Sequence, residues 1–293
     1  MKNQQTINKK DFKGSVFELL LEINDCPKSL NYLGKIFKKE DYKFLTIVGS
    51  RVHSRYAKEA LEKIFESLRG QKIVIISGLA LGIDALAHKL ALENGLKTIA
   101  VIGSGLGENI LYPRSNFGLA QDIISKGGLI VSEYEEDFKA TSWSFPQRNR
   151  IMVGMSDMVL VVEAKEKSGT AITARLALDY NRELTVIPNS IFSEFSIGSN
   201  KLLRTGANPI LSGQDILDIL GIGEKEKMTQ QKFEVENLSD LEKKIMKKLG
   251  EPKSREELLE ELDLSLIELN TTLSMLEIKE YIVETLGKYR KNF

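Results

Sequence analysis

Residues 44–51 read FLTIVGSR, a short apolar and partly β-branched run that ends in a glycine, a serine and an arginine. This composition predicts a buried strand over residues 44–48. Gly49 permits the tight turn that leaves the strand. Ser50 and Arg51 then lie at its carboxyl end, where open α/β sheets bind their ligands. Backbone N–H groups, a hydroxyl and a guanidinium at one point suit a phosphate, although an ordinary strand-to-helix turn has the same pattern.

Strand and helix patterns alternate after this stretch. Further short apolar runs occur at 73–76, 98–102, 129–131, 158–162 and 184–187. Helical patterns lie between several of them, at 57–69, 83–93, 116–126 and 170–180. Repeated strand–helix units predict an α/β fold with a parallel sheet and helices on both faces. Right-handed crossovers then place the loops after the strands on one rim of the sheet.

Composition and pattern divide the chain into four parts. Residues 1–43 are mostly polar, and we expect a lead-in segment that packs on the main domain. Residues 44–220 form that main domain. Residues 221–237, GIGEKEKMTQQKFEVEN, are polar and charged and predict a linker. Residues 238–293 show three helical patterns followed by a hairpin-like tail around Gly287, which is the order of a small winged-helix domain.

The overall composition is that of a globular protein without a charge bias. Hydrophobic residues are 42% and charged residues 28% of the 293, and 41 basic residues balance 41 acidic ones. A strongly basic nucleic-acid binder is not indicated, so any polyanion site must be a local cluster. The single cysteine, Cys26, excludes an internal disulfide. There is no apolar core of a signal peptide and no apolar run near the roughly 20 residues of a membrane helix, so we expect a cytoplasmic protein without membrane contact.

Four glycine-containing loops follow predicted strands. They read GSR at 49–51, SGLALGID at 77–84, GSGLG at 103–107 and KSGTAIT at 167–173. Together on one rim they predict an extended phosphate-lined groove, whereas each alone is equally explained by a turn glycine. The candidate contacts in these loops are Gly49, Ser50, Arg51, Ser77, Gly78, Leu79, Gly103, Ser104, Ser168, Gly169 and Thr170. No dinucleotide fingerprint opens the first unit and no P-loop motif occurs, which disfavours dehydrogenases and P-loop hydrolases.

A second candidate region is the stretch 143–150, WSFPQRNR, in which aromatic rings stand beside two arginines. Rings that stack on bases and guanidiniums that hold phosphates are typical of single-stranded nucleic-acid binding. Phe145, Arg148 and Arg150 are therefore candidate contacts. The alternative is that Trp143 and Phe145 are core aromatics beneath a loop, with arginines that cap or pair.

No arrangement of residues predicts catalysis. His88 lies in a helical pattern and indicates a packing or hydrogen-bonding role, whereas His53 lies just past the GSR loop, within reach of a ligand. Asp84, at a helix start, is interpreted as a cap or loop brace. Two histidines and one cysteine make a transition-metal site an unfavoured interpretation, and we predict no catalytic residue, metal or cofactor.

The ordered set of motifs resembles the DNA-processing protein A family (DprA, also called Smf). The shared pieces are INDCPKSLNYLG, IVGSR, SGLALGIDALAH, IAVIGSGL with the following YP, SE, FPQRNRIMVGMSDMVLVVEA, SGTAITAR and SIGSNKLLRTGA, and the C-terminal segment resembles the family's winged-helix appendage. The resemblance implies an extended Rossmann-like domain that binds single-stranded DNA, without catalytic activity, usually as a homodimer. It implies a role in natural transformation, in which the protein protects incoming strands and helps load the RecA recombinase. It also implies binding roles for residues 49–51 and 77–79 and, in the F-P-x-R-N-R segment, for Phe145, Arg148, Asn149 and Arg150.

Two positions depart from the family pattern. Leu81 stands where many relatives have a basic residue, which puts one phosphate contact in doubt. Pro188 and Asn189 stand where Pro–Gly is common, which puts the geometry of that loop in doubt.

Two alternative functions stand beside this resemblance. A Rossmann-like nucleoside-monophosphate glycosidase, of the lysine decarboxylase-like type, carries a P-G-G-x-G-T-x-x-E loop, but here Thr173 replaces the glutamate that would act as acid or base. A winged-helix regulator of double-stranded DNA needs a basic recognition helix, yet residues 224–293 carry 13 basic and 16 acidic residues, a net charge of −3. We therefore expect the C-terminal domain to be a protein-interaction or dimer element.

Overall fold

A computed structural model of the chain describes residues 4–165, 168–222, 238–262, 264–279, 281–285 and 287–291. The chain divides into two compact units, 1–225 and 226–293, and each is considered by itself. Residues 223–237 of the predicted linker and Lys167 of the fourth glycine loop lie outside the described residues. Within the described ranges, no helix combines the length and the apolar character needed to cross a membrane.

The N-terminal unit is built on a sheet of nine described strands in the spatial order β1-β2-β6-β5-β4-β3-β7-β8-β9. β2 pairs antiparallel with both β1 and β6, and the pairings from β6 to β9 are parallel. The strands are β1 (Gln5–Asn8), β2 (Ser29–Gly34), β3 (Lys43–Val48), β4 (Ile73–Ser77), β5 (Lys97–Val101), β6 (Leu129–Ser132), β7 (Met158–Val161), β8 (Glu183–Val186) and β9 (Asn208–Pro209).

Helices of the N-terminal unit connect these strands. They are α1 (Arg55–Leu68), α2 (Ile83–Glu93), α3 (Phe117–Ser125), α4 (Ser144–Gly154), α5 (Gly169–Asp179), α6 (Ile197–Arg204) and α7 (Gly213–Leu220). The predicted α/β fold with a mainly parallel, Rossmann-like sheet is confirmed. The six predicted strands and four predicted helices of this unit are present, each within two residues of the predicted bounds.

Strand β3, which leads into the first glycine loop, lies near the middle of the sheet between β4 and β7. Its side chains alternate between the two faces, as a strand requires. Leu45 and Ile47 join a core with the apolar residues of α1 and α2, whereas Phe44 and Val48 join the core on the opposite face. All four are buried, so both faces of the sheet are covered by other elements.

The lead-in segment contributes more to the sheet than its polar composition indicates. β1 and β2 extend the sheet beyond β6, and Phe17, Leu20 and Ile23 pack into the same core as Phe44. These strands were not predicted, because QTIN and SLNYLG contain few apolar residues and gain their pairing from β6.

Helix α4 was not predicted either. Its first turns read SFPQRNR and show no apolar face, although Ile151, Met152 and Val153 in its last turns are buried. Pro146 is compatible with the helix because it lies in the first turn, where a backbone N–H has no intrahelical acceptor.

The described residues of the C-terminal unit form three helices and a small antiparallel sheet with the strand order β10-β12-β11. The elements are α8 (Asp240–Lys248), β10 (Lys253–Ser254), α9 (Arg255–Leu262), α10 (Leu266–Ile278), β11 (Ile282–Thr285) and β12 (Lys288–Lys291). Ser239 and Ser265 cap α8 and α10 through capping boxes with Glu242 and Glu268. Ile245 and Met246 of α8 and leucines of α9 and α10 pack with Ile282 and Tyr289 in a core of their own. The three predicted helices and the predicted hairpin around Gly287 are present, whereas the short strand β10 between α8 and α9 was not predicted.

Candidate functional site

A cleft of about 490 Å³ lies at the carboxyl ends of the central strands. Three segments line most of it: the β3–α1 turn, the first turns of α4 and the beginning of α5. The lining residues are Val48, Gly49, Ser50, Arg51, Ala80, Asp84, Ser142, Phe145, Pro146, Arg148, Asn149, Met152, Lys165, Ser168, Gly169, Thr170 and Thr173. The structure therefore brings together the first glycine loop, the fourth glycine loop and the F-P-x-R-N-R segment, as their positions in the sequence predict.

Arg51 and Phe145 bring a cation and an aromatic ring together at the cleft. Arg51 is exposed, and its guanidinium lies 5.6 Å from the centroid of the Phe145 ring. The Phe145 ring is half-buried and also contacts the ring of Tyr112, with 5.6 Å between the centroids. A cation and an aromatic face at one place can contact a phosphate and a base of the same strand.

Three helices begin at the cleft. Asp84 lies in the first turn of α2, Phe145 and Pro146 lie in the first turn of α4, and Gly169 and Thr170 open α5. The N-terminal end of a helix carries a partial positive charge and free N–H groups. The starts of α4 and α5 and Arg51 give this cleft a local preference for anions in a chain whose net charge is zero, whereas Asp84 already places a carboxylate at the start of α2.

Ser168, at the N-cap of α5, supports the preference of the cleft for anions. Its side chain makes no capping hydrogen bond, and its buried Oγ finds no partner among the described residues. A hydroxyl left in this way at a helix N-terminus is available to a ligand oxygen.

Tight backbone contacts bring the first two glycine loops together. Gly82 has a φ of +77°, and a Cβ atom at this position would overlap the backbone of Ser50 and Arg51. The Ile83 N–H donates to the Ser50 carbonyl at 3.1 Å. The glycine is thus required both by the left-handed backbone and by the close approach of the two loops.

Leu79 shows that the second glycine loop is a strained segment. It has a φ of +57° although it is not a glycine, and its side chain is buried. Its carbonyl accepts a hydrogen bond from Asn116 Nδ2 at 2.8 Å. Positive φ at a bulky residue costs free energy and is often found at functional loops.

Arg148 lines the cleft, but its side chain donates hydrogen bonds to other residues of the protein. Its side chain is buried, Nη1 donates to the Gly78 carbonyl at 2.6 Å and to the Val101 carbonyl, and Nε donates to Asn149 Oδ1 at 3.2 Å. Burial lowers the pKa of this guanidinium, and the charge of Asp84 partly opposes that effect. Arg148 thus has a structural role, because its N–H groups hold the ends of β4 and β5, and its contact with phosphate stays a prediction.

Asp84 completes this buried arrangement. Its carboxylate accepts from the Gly78 N–H at 3.1 Å, which agrees with the predicted role of a loop brace. Burial raises the pKa of Asp84, while the nearby Arg148 charge and the N–H groups of Ala80 and Gly78 act in the opposite direction.

Arg150 is directed away from the cleft. It is buried and donates to the Asp25 carbonyl at 2.6 Å and to both carboxylate oxygens of Glu133 at 2.5 Å. It does not line the cleft and instead joins α4 to the lead-in segment and to the end of β6. The sequence placed it beside Arg148, but a helix turns residues two positions apart to different sides.

The remaining predicted contacts differ in their access to the cleft. Asn149 lines it, and its Nδ2 donates to Thr173 Oγ1 at 3.1 Å. Ser77 and Ser104 are fully buried: Ser77 Oγ donates to the Ile47 carbonyl at 2.7 Å, and Ser104 Oγ to the Gly105 carbonyl at 3.1 Å. Gly103 lies beneath Phe145, so the third glycine loop supports the site from below.

The aromatic residues of the second candidate region are not core residues. Trp143 is 56% exposed and packs edge-on against Tyr134 and Phe138, at 5.9 and 5.8 Å between ring centroids. The reading of Trp143 as a core aromatic is therefore wrong, because the loop 134–143 forms an aromatic cluster of its own at the surface.

Two residues were missed in the sequence: Lys165, which lines the cleft, and Tyr112, which lies beside it. Lys165 lies just beyond β7 and pairs with Glu194 at 2.9 Å, and Tyr112 contacts the Phe145 ring. The signal for Lys165 was available, since a lysine four residues past an apolar strand stands on the same rim. Tyr112 gave no such signal, because its position depends on the path of the loop after β5.

Neither histidine belongs to the described lining of the cleft. His53 Nδ1 lies 3.1 Å from the Ser54 carbonyl. His88 is buried, as predicted, and its Nδ1 shares a hydrogen bond of 2.7 Å with Thr98 Oγ1. Burial and the positive charge of Arg148 lower the pKa of His88 to about 3.

Comparison with known proteins places the geometry in context. The family model for DNA recombination-mediator protein A matches residues 6–221. The chain is 42% identical over 198 residues to DNA processing protein DprA of Streptococcus pneumoniae, which covers 68% of each chain. It is 39% identical over 204 residues to Protein Smf of Escherichia coli, which covers 70% of this chain and 54% of that protein.

Solved structures agree with these matches. The structure of DprA from Streptococcus pneumoniae aligns with a TM-score of 0.67 and 38% identity over 74% of each chain. A structure that reports the single-stranded DNA binding mode of DNA processing protein A from Helicobacter pylori aligns with a TM-score of 0.63 and 32% identity. That alignment covers 74% of this chain and 95% of the other.

Proposed function

The chain belongs to the DNA recombination-mediator protein A family, and on this premise we propose that it binds single-stranded DNA in the cleft that Arg51 and Phe145 border. In natural transformation it would protect incoming strands and help to load the RecA recombinase onto them. The binding is without sequence readout, since stacking on a ring and contacts to phosphate are common to all bases.

The observation that carries the proposal is the Arg51–Phe145 pair beside three helix N-termini. Arg51 offers an exposed guanidinium to a phosphate, and Phe145 offers a partly exposed ring to a base. The N–H groups at the start of α5 and the Oγ of Ser168 supply further donors.

A single copy of the chain is expected to bind weakly. Arg148 and Arg150 donate hydrogen bonds to carbonyl groups of the protein. The cleft therefore neutralises fewer phosphates than the two arginines of the motif would if both faced the DNA. We propose that the protein forms a homodimer, because two clefts on one strand would raise the affinity through effective concentration. Light scattering should then give twice the chain mass of 32.9 kDa.

The proposal assigns binding and no catalysis to the cleft, without a cofactor. Among its described lining residues the one carboxylate is Asp84, which is buried and held by the Gly78 N–H. Thr173, at the position of the glycosidase glutamate, accepts a hydrogen bond from Asn149 instead. These contacts favour a site that holds phosphate over one that transfers a proton.

The action on RecA would take place in the cytoplasm, where the recombinase meets the incoming strand. It can be followed by the rate of RecA filament formation on single-stranded DNA with and without this protein. An unchanged rate, with intact DNA binding, would contradict the loading role and leave the binding role standing.

Fluorescence anisotropy of labelled oligothymidine across a salt series tests the binding itself, with the matching duplex as competitor. We expect salt-dependent binding that the duplex does not displace. Absence of binding at low salt would overturn the proposal and favour a small nucleotide as the ligand.

Arg51→Ala locates the site. It should weaken binding and make the slope of log K against log salt shallower by about one, because one phosphate contact is lost. Arg69→Ala is the matched control, since this exposed arginine lies at the C-terminal end of α1 and donates to Asn94. Equal binding by Arg51→Ala and the unaltered protein would show that the cleft is wrongly assigned.

A further inference from the structure

A second cleft, of about 440 Å³, has no role in the function proposed above. It is lined by Ser54, Tyr56, Pro188, Asn189, Ser190 and Ser193. One side is the start of α1, and the other is the loop between β8 and α6. The Tyr56 hydroxyl joins the two sides by donating to the Pro188 carbonyl at 2.7 Å.

The loop between β8 and α6 holds two large apolar residues in solvent. Ile191 is 82% exposed and Phe192 is 94% exposed. Burying such a side chain is favourable, so two neighbouring ones in water point to a surface that a partner covers.

Hydrogen bonds within the loop fix this arrangement. Ser196 Oγ donates to the Ser190 carbonyl at 2.6 Å, and the Ser193 N–H donates to the same carbonyl at 3.1 Å. The Phe192 N–H donates to Ser190 Oγ at 3.3 Å, and Asn200 Nδ2 donates to the Asn189 carbonyl at 3.0 Å. The backbone that carries Phe192 is thus positioned before any partner arrives.

Asn189 adds a polar donor to the second cleft. Its Oδ1 accepts from the Ser190 N–H at 2.7 Å, which sets the orientation of the amide. Its Nδ2 is buried and has no hydrogen-bond partner among the described residues. A buried donor left unpaired costs free energy, and an acceptor atom of a ligand would relieve that cost.

The two clefts are continuous along the chain. Residues 49–51 line the first cleft, and Ser54 and Tyr56, in the same turn into α1, line the second. Lys165 of the first cleft pairs at 2.9 Å with Glu194, one residue beyond the second. A strand bound at Arg51 that continued along this turn would pass Tyr56 and then the loop that carries Asn189 and Phe192.

We propose that the second cleft is a base-binding subsite that receives the continuation of the same single strand, with Phe192 and the half-exposed ring of Tyr56 as stacking surfaces. Asn189 Nδ2 donates to an acceptor atom of a base. This inference rests on the proposed function. None of the six described lining residues is a cation, so the subsite contacts bases and leaves the phosphates to the first cleft.

The test is the anisotropy assay with two lengths of oligothymidine, because single-strand sites range from about 4 to about 16 nucleotides. The full chain is used with Phe192→Ala, Phe192→Trp and Phe192→Leu. Leu178→Ala is the matched control, since Leu178 is 65% exposed and lies at the C-terminal end of α5, away from the lining of either cleft.

We expect Phe192→Ala to weaken binding of the long strand about tenfold and to leave the short strand unchanged. The salt slope should stay the same, in contrast to Arg51→Ala, because no phosphate contact is lost. Phe192→Trp should retain the affinity, and Phe192→Leu should not, because leucine keeps the apolar contact but not the aromatic face.

Several results would overturn the subsite while the proposed function stands. These are unchanged long-strand binding by Phe192→Ala, equal weakening at both lengths, or full affinity in Phe192→Leu. A lower mass of Phe192→Ala in light scattering would assign the loop to self-association and equally overturn it. If the unaltered protein binds neither strand, the proposed function itself fails.

Discussion

At the scale of single residues, the arginines of one motif divide into different tasks. Arg148 is buried against the ends of β4 and β5, Arg150 is buried against the lead-in segment, and Arg51, from another loop, is the exposed cation beside the ring of Phe145. A guanidinium has five donors in a fixed plane, so it can satisfy several carbonyl groups where loops converge. Residue type alone therefore does not separate an arginine that binds a ligand from one that holds the site together.

Gly82 lies where the second glycine loop contacts the backbone of Ser50 and Arg51, so it affects the position of the Arg51 side chain. Gly82→Ala should lower the free energy of unfolding by about 2 kcal/mol, because alanine disfavours the φ of +77° and its Cβ would overlap the backbone of Ser50. Urea unfolding measures the change, and oligothymidine binding should weaken as the turn before Arg51 shifts.

Gly118→Ala is the matched control for Gly82. Gly118 lies in α3, and a Cβ there meets no atom within 4 Å, so alanine should raise stability by about 0.5–1 kcal/mol. Equal stability changes in the two variants would show that the loop contact at Gly82 carries no strain.

Because His88 is buried and its pKa is lowered, we expect the free energy of unfolding to decrease in acid. Its pKa is about 3 in the folded chain and about 6.5 in the unfolded chain, so the unfolded state binds the proton first as the pH falls. Stability is therefore complete above about pH 6.5 and decreases toward pH 3, with a loss of about 2 kcal/mol at pH 5.

Urea unfolding of the unaltered protein and of His88→Gln at pH 7 and pH 5 measures this term. The decrease in the free energy of unfolding from pH 7 to pH 5 should be smaller by about 2 kcal/mol in the variant. The raised pKa of Asp84 acts in the opposite direction, stabilising the fold in acid, and is present in both proteins. Identical pH dependence in the two proteins would mean that His88 is not buried in its neutral form.

At the scale of elements, α4 connects most parts of the N-terminal unit. Its first turn supplies Phe145 to the cleft, Arg148 reaches β4 and β5, and Arg150 reaches the lead-in segment. Its later residues, such as Met152 and Val153, are buried in the core under the sheet. One helix therefore couples the position of a stacking ring to the packing of the whole unit.

Arg150→Gln separates stabilisation from DNA contact. We expect stability to fall by about 2 kcal/mol, less than for a fully buried pair, because Glu133 and Asp25 are partly exposed. The salt slope of oligothymidine binding should not change, since Arg150 is absent from the described lining of the cleft. A slope shallower by about one, as expected for Arg51→Ala, would instead make Arg150 a phosphate contact.

At the scale of the whole molecule, the two units differ in the surfaces they offer to nucleic acid. The N-terminal unit has a cleft with three helix N-termini and an exposed arginine. In the C-terminal unit, α10 carries Glu268 in its first turn and exposes Leu266 and Ile267. An acidic and apolar helix is suited to another protein and poorly suited to a major groove.

Removing the C-terminal unit tests this difference. A chain that ends at residue 222 should bind oligothymidine through the same cleft, and its weak binding of duplex DNA should equal that of the full chain. Gel-shift titrations of both chains on duplex DNA provide the comparison. Submicromolar, salt-sensitive duplex binding that disappears on truncation would make the C-terminal unit a duplex reader.

The sequence by itself determined the class of fold and the edge of the sheet that carries the site. The spacing of apolar residues and the positions of glycines are local properties, so residues 44–51 predict a strand and the turn that follows it. The parallel order of the strands then places the loops on one rim of the sheet. The ordered motifs also identified the family over residues 6–221.

Only the tertiary structure decided which residues of the motifs face the cleft. Burial of Arg148, Arg150 and Ser77 depends on partners far away in the chain, such as Val101, Asp25 and Ile47. The lead-in strands form because β6 offers them a paired edge. A hydrogen bond or a packed face is a property of two segments, and a pattern within one segment cannot specify the other.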